Sequence, residues 1–512
     1  MTDRPLSIAQ HYHQRTKYDP DTLAAKSQGL DWDKQPVPFK EYKLGTPFDL
    51  KPYLTQDDEN LPDDEDAQWW RRLSRLLFCS YGLTARIPTM AGPMFLRAAP
   101  SAGGLYPAEV YLISRGTPQL AAGLYNYQSR THSLLRFWDS DVWGSLQEAC
   151  FWHPALDRTQ LVIATTAIFY RSAWRYKDRA YRRIYLDTGH LLGNIELASA
   201  LNHYRPYLIG GFTDEAIDRL LYLDPQQEGT IAILPLADLT DINQHLPKGP
   251  TALPSATQTD YPEIPEGELL GYLHQATCIE SEPSREAIEQ STTSDRPLED
   301  KYNFPFCTKV STQSAPINWG EDLEGLEKTI LKRRSTRNYS GLAITLEELN
   351  ALLDFTYQPQ NYAAQELDSD PDYFDLNLIE TFIAVSDVPG LDEGCYYYAP
   401  KARELRQVRF KNFQRQLHFL CLGQDLGRDA AALVFHTADL NKAVAKYGDR
   451  AYRYLHMDAG HLGQRLNLAA IHLNLGVSGI GGFFDDQVNE VLGIPPDEAV
   501  LYVTTLGQPK SS

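Results

Sequence analysis

Apolar residues recur along this chain in two rhythms. Near the C-terminus, Leu462, Leu466, Ala469, Ala470 and Leu473 return at the spacing of one helical face, which predicts a helix beginning near Asp458. Elsewhere the runs are short and continuous. Val110 to Ile113, Leu161 to Phe169, Leu433 to His436 and Leu501 to Thr505 read as strands. Helices and strands mixed without regular βαβ alternation predict α+β layers.

The pattern occurs twice. Arg175 to His190 (RYKDRAYRRIYLDTGH) is matched by Lys446 to His461 (KYGDRAYRYLHMDAGH), an offset of 271, with nine of sixteen positions identical. The offset holds on both sides: Gly123 to Tyr127 falls on Gly394 to Tyr398, Glu109 on Glu380, and Gly210 to Asp214 on Gly481 to Asp485. A period this long is a whole duplicated domain, not a solenoid unit. From Asp238 onward the chain turns rich in Pro, Ser, Thr and Gln, with one short helix candidate near Glu266 to Gln275. The expected organisation is a first domain over 1–237, a connection over 238–321 and a second domain over 322–512. A connection of that length lets one half lie across the other in a fixed two-fold arrangement.

Composition narrows the function classes. A chain of 512 residues that is 43% hydrophobic can bury real cores, and its formal net charge of −19 opposes any broad nucleic-acid or anionic-membrane surface. MTDRPLSIAQHYHQRTKY has no apolar run suited to a signal peptide, and no segment approaches a membrane span, so a soluble, cytoplasmic protein is expected. Cys79, Cys150, Cys278, Cys307, Cys395 and Cys421 stand far apart, without CxxC pairs or histidines at ligand spacing. Neither a disulfide framework nor a metal site is expected.

Two stretches break the repeat in opposite directions. The second half carries Leu331-Lys-Arg-Arg-Ser-Thr-Arg337, read as entering a helix start. Guanidinium groups beside a helix N-terminus suit a phosphate dianion, and a solvated basic helix face or a phosphorylation site has the same composition. The first half carries Arg97-Ala-Ala-Pro-Ser-Ala-Gly-Gly-Leu-Tyr-Pro107, where Ser101 offers a hydroxyl and Gly103 and Gly104 remove side chains. Such a loop lets backbone N–H groups approach a flat ligand, and a plain turn before the strand at Val110 is the alternative. In the second half, Asp372 to Ile379 stands in its place.

With these residues the chain resembles the nitroreductase superfamily, most closely its azoline-dehydrogenase (SagB/ThcOx-type) branch. Arg333 to Arg337 looks like that family's phosphate-binding start, Pro100 to Pro107 like its flavin loop, and Lys446 to Tyr454 with Gly460-His461 like its branch-specific helix entry. The resemblance implies two nitroreductase-like α/β/α halves forming an intramolecular pseudo-dimer around FMN, the one cofactor expected. It implies a composite site in which Arg333, Arg334, Ser335 and Arg337, with Gly481 and Gly482 near the flavin edge, face Pro100, Ser101, Ala102, Gly103 and Gly104. The opposite site would pair Gln14 to Lys17 with Asp372 to Asp375, whose acids repel phosphate, so one flavin per chain is expected.

Flavin carries the electron chemistry in such a protein, and the chain supplies position and electrostatics. The resemblance assigns Lys446 and Tyr447 as the base for azoline oxidation. Their repeats are Arg175 and Tyr176, and arginine is no base at ordinary pH. His190 and His461, retained in both copies, point to capping or buried hydrogen bonds rather than catalysis. The expected activity is an FMN-dependent oxidoreductase acting on a small-molecule or peptide substrate, an azoline-to-azole dehydrogenase in its sharper form, with NAD(P)H or dioxygen as redox partner. The alternatives are a general NAD(P)H-dependent nitro or quinone reductase and a non-catalytic scaffold that binds a leader peptide or partner protein. The internal pseudo-dimer is compatible with a monomer or a homodimer.

Overall fold

The structure is a computed structural model and describes residues 5–510 except 22, 24–28, 55–63, 90–91, 242–245, 285, 287, 289–297 and 304. Two seven-stranded antiparallel sheets share one strand order. In the first, the strands run in space as Thr46–Asp49, Ser133–Trp138, Gly123–Gln128, Ala108–Ser114, Leu161–Ile168, Glu228–Asp238 and Tyr204–Pro206. In the second, Lys309–Ser311, Glu404–Arg409, Gly394–Ala399, Glu380–Val385, Ala432–Asp439, Glu498–Gly507 and Gly476–Ile480 repeat that order. The α+β class and the tandem halves are therefore present. The central strands are buried along almost their whole length, because helices cover both faces of each sheet and leave no wet side for polar alternation.

The connection is woven into both halves. Lys309–Ser311 supplies an edge strand to the second sheet, and the helix Leu269–Ala276 lays Leu269, Leu270 and Leu273 into the main core. That apolar cluster runs from Ile8 to Leu506, so the halves share one core.

At its centre the helices Ala180–Leu201 and Ala451–His472 pack on each other. The second begins at Ala451, a full two turns before the Asp458 start that the apolar spacing predicts. The spacing fails there because this turn buries charge: Tyr452, Arg453, Tyr454 and His456 are all inside. Arg453 and Arg450 close on Asp214 at 2.7 and 2.6 Å, and Arg182 and Arg179 close on Asp485 at 2.6 and 2.8 Å. Each acid is thus held by arginines of the other half, and polar residues take positions that a sequence pattern assigns to solvent.

Candidate functional site

The glycine loop and the arginine segment lie together. Arg333 Nε donates to the Ala98 carbonyl at 2.7 Å and Nη2 to that of Arg97 at 3.1 Å. Arg334 donates through Nη1 and Nη2 to Thr84 Oγ1 and O, at the root of a hairpin formed by Leu83–Thr89 and Gly92–Arg97. Arg333 is 3% exposed, its Nη1 has no partner, and burial with the neighbouring Arg334 and Arg337 charges holds its pKa down to about 10. Ser335 is half-buried and Arg337 exposed. The segment does not enter a helix. The helix Glu324–Lys332 ends immediately before it, and Thr336 instead bonds Val477 on the edge strand of the second sheet. The cationic side chains therefore follow a helix C-terminus and have no helix N-terminus of their own.

The loop is fixed by Asp187 on the central helix. Ser101 Oγ donates to Asp187 Oδ2 at 2.6 Å and Ala102 N to Oδ1 at 3.1 Å, while Tyr106 N donates to Ser101 Oγ. Burial, only partly offset by these bonds, raises the Asp187 pKa to about 7. Gly103 and Gly104 both have φ +67°, a conformation that favours glycine, and a Cβ on Gly103 would meet Tyr176 Oη at 2.9 Å. A Cβ on Gly104 would point into open space. Pro100, beside them, is half-buried.

The far wall joins Gly481 and Gly482 to the same place. A Cβ on Gly481 would lie 3.5 Å from Arg183 Nε, and one on Gly482 would lie 3.5 Å from Arg183 Nη2. The Arg183 guanidinium stands 3.9 Å over the Tyr176 ring, and its buried Nη1 has no partner. Arg183 was not among the residues singled out from the sequence. The signal was there, because the repeated segment changes charge at this position, to Tyr454.

Lys446 and Tyr447 lie elsewhere. They close on Asp375 Oδ2 at 2.5 and 3.2 Å, against the acidic segment of the second half, and burial together with Asp375 drives the Tyr447 pKa up. Arg175 and Tyr176 are the pair beside the glycine loop. The two-fold relation puts each pair next to its own half's loop, and spacing along the chain does not reveal that.

At the second, pseudo-symmetric position the chain's own residues close on the paired glycines. Gly210 N donates to the Thr251 carbonyl at 2.7 Å, and a Cβ on Gly211 would strike Leu253. Tyr454 Oη donates to the Leu253 carbonyl at 2.8 Å, and its ring stacks on Phe374 at 4.6 Å. Asp458, the repeat of Asp187, accepts Phe374 N and Asp375 N at 3.0 and 2.8 Å. The acidic segment beyond lines a cleft of about 570 Å³ with Lys248 and Gln358. Gln14 to Lys17 do not face it, in contrast to the sequence-based pairing. Arg15 donates to Ile264 O, Thr16 accepts from Arg182, and Lys17 pairs with Asp486. The first helix is drawn there by the buried Arg179 and Arg182, which take Thr16 as a partner along with Asp485. The acids of the cleft are met instead by Arg205 on Asp372 at 3.0 Å and by Lys248 on Asp370.

Both repeated histidines lie in mid-helix, so neither caps a helix. His190 bonds Gln464 and Tyr502 at 2.8 Å each, while His461 bonds Glu196 at 3.2 Å and stacks on Tyr373. Burial holds the His190 pKa down to about 4. Among the described residues no disulfide is formed, no His, Cys, Asp and Glu cluster suits a metal, and no helix is long and apolar enough to cross a membrane.

Comparison with known proteins agrees with this architecture. The crystal structure of a nitroreductase-type protein from Anabaena variabilis shares 71% identity over 98% of this chain and 100% of that one, with a TM-score of 0.93. A nitroreductase-type protein of Methanocaldococcus jannaschii is 31% identical over 169 residues, 33% of this chain and 84% of that one. The Nitroreductase family model matches residues 73–237 and 330–508, one match in each half, and the chain belongs to the nitroreductase family.

Proposed function

We propose that this protein is an FMN-dependent oxidoreductase with one composite cofactor site per chain. The observation that carries the reading is Arg333: a buried guanidinium with an unpartnered Nη1, depressed basicity and two more arginines beside it is a site in want of an anion. Arg333, Arg334 and Arg337 with Ser335 would hold the phosphate. The Pro100 to Gly104 backbone would lie along the flat ring, and Gly481 and Gly482 would leave room at its edge. Once bound there, FMN would supply two-electron transfer. The other position lacks an arginine segment, and Leu253 and Phe374 crowd it.

Azoline dehydrogenation of a peptide-like substrate is the sharper form of this reading, and it needs a proton acceptor. At the glycine loop that role would fall to Tyr176, because its neighbour is Arg175. The same feature favours a second reading, a general NAD(P)H-dependent nitro or quinone reductase, since the Lys446-Tyr447 pair is tied to Asp375 at the other loop.

The purified protein should show flavin absorbance at one FMN per chain, and R333A/R337A should lose it while keeping the circular dichroism of the folded protein. Two flavins per chain would overturn the single-site reading. A colourless protein that cannot be reconstituted would instead support the non-catalytic scaffold.

A further inference from the structure

We propose that Arg183 anchors an anionic group of the substrate, a carboxylate on a flat organic molecule, at the edge of the composite site. The inference rests on the FMN reading above and names the class of substrate that the site takes.

Arg183 is 6% exposed, yet no described carboxylate pairs with it, and its buried Nη1 donates to nothing. The one acid a turn along the same helix, Asp187, feels the Arg183 charge but spends its hydrogen bonds on Ser101 and Ala102. A buried guanidinium with a free N–H is costly unless an anion reaches it. Other buried arginines of the central helices have such partners: Arg182, Arg450 and Arg453 each close on a carboxylate within 2.7 Å. At the repeat position Tyr454 needs no counter-ion, since its hydroxyl is spent on Leu253 and its ring on Phe374. The charge at 183 therefore belongs to the glycine-loop position and is absent from its repeat.

The anion it awaits differs from the cofactor's phosphate. Arg333 reaches the Ala98 and Arg97 carbonyls, whereas Arg183 stands over Tyr176 beside Gly481 and Gly482, so the two arginines have different neighbours. The Tyr176 ring and the bare backbone of Gly481 and Gly482 lie against the Arg183 guanidinium and hold it in one plane, which favours a planar anion. A guanidinium fork matches a carboxylate through two parallel bonds. Exposed Arg175, beside Tyr176, adds positive potential at the entrance.

The test uses the FMN-loaded full chain titrated with benzoate and with benzamide, which share a shape and differ in charge, read by the perturbation of flavin absorbance. Benzoate should bind about tenfold or more tightly at low salt, as one charge-assisted bond provides. In R183Q the ratio should fall towards one with FMN content unchanged, and R183K should recover part of it. Equal binding of the two probes by the wild type, or a preference kept by R183Q, would overturn the proposal. So would loss of FMN by folded R183Q, which would make Arg183 a cofactor ligand. Loss of affinity for NADPH but not NADH would give the anion to the donor's phosphate and overturn the substrate assignment as well. A wild-type protein that never takes FMN would sink the cofactor reading itself, and this one with it.

Discussion

Gly189 and Gly460 meet backbone to backbone at the centre of the molecule. A Cβ on Gly189 would stand 2.9 Å from the Gly460 Cα and closer still to the Met457 carbonyl oxygen, and one on Gly460 would stand 3.0 Å from the Gly189 Cα. These residues are repeats of each other, so the point where they touch marks the internal two-fold axis. The long helices can approach this closely only because neither carries a side chain there.

Alanine at either glycine should force the helices apart. G189A is expected to cost about 1–3 kcal/mol or more, the usual range for overpacking a tight contact. Thermal unfolding would check this. A variant as stable as the wild type would show that the helices can separate freely.

The ion clusters that lock the halves together should dominate acid stability. Asp485 takes Arg179 and Arg182, and Asp214 takes Arg450 and Arg453; burial alone would raise both carboxyl pKa values, but the arginines more than offset it. Depressed pKa values contribute stability above the ordinary value of 3.8 that is lost as pH falls through the folded value. D485N or D214N, which leaves two buried arginines without a carboxylate, should cost about 3–5 kcal/mol at neutral pH. Denaturant midpoints from pH 3 to 7 would show the gap to wild type narrowing in acid.

Asp187 and Asp458 predict the opposite slope. Burial raises each to about 7 from an ordinary 3.8, so between those values the folded chain keeps protons that the unfolded chain has released. Their contribution is full below pH 4 and is lost as pH rises through 7. D187N/D458N should therefore gain stability over wild type at pH 8, by about 1–4 kcal/mol per site at most, and show no gain at pH 4. Melting temperatures across that range decide it.

The position of the tyrosines bears on catalysis. Under the proposed function, Y176F should lower kcat about tenfold or more, and K446A should change it less than twofold while costing stability through the unpaired Asp375. Steady-state kinetics of the two variants, with FMN content measured in each, test this. The reverse result would return the proton-transfer role to Lys446 and Tyr447.

Much of the fold could be read from residues in order. The offset from His190 to His461 reveals two copies, and the runs at Leu161 and Leu501 became central strands because continuous apolar stretches fit only a sheet covered on both faces. The start of the helix at Ala451 was hidden, since Arg450 and Arg453 are charged residues buried against an acid more than two hundred positions away. The loss of the glycine loop at Asp372 was also legible. The plug formed by Thr251 to Leu253 was not, because nothing in a Pro-rich connection shows which groove it will cross.

The amino-acid order by itself determined that two related domains are fused, that their strands and helices alternate irregularly, and that one copy keeps the arginine segment and the other the glycine loop. Periodicity and composition are local properties, and those conclusions need nothing more. Only the tertiary structure decided which segments share a wall: Arg333 beside Ala98, Arg183 beside Gly481 and Tyr176, and Lys446 turned to Asp375. Those neighbours follow from a two-fold axis through Gly189 and Gly460, and the position of an axis depends on how whole helices pack.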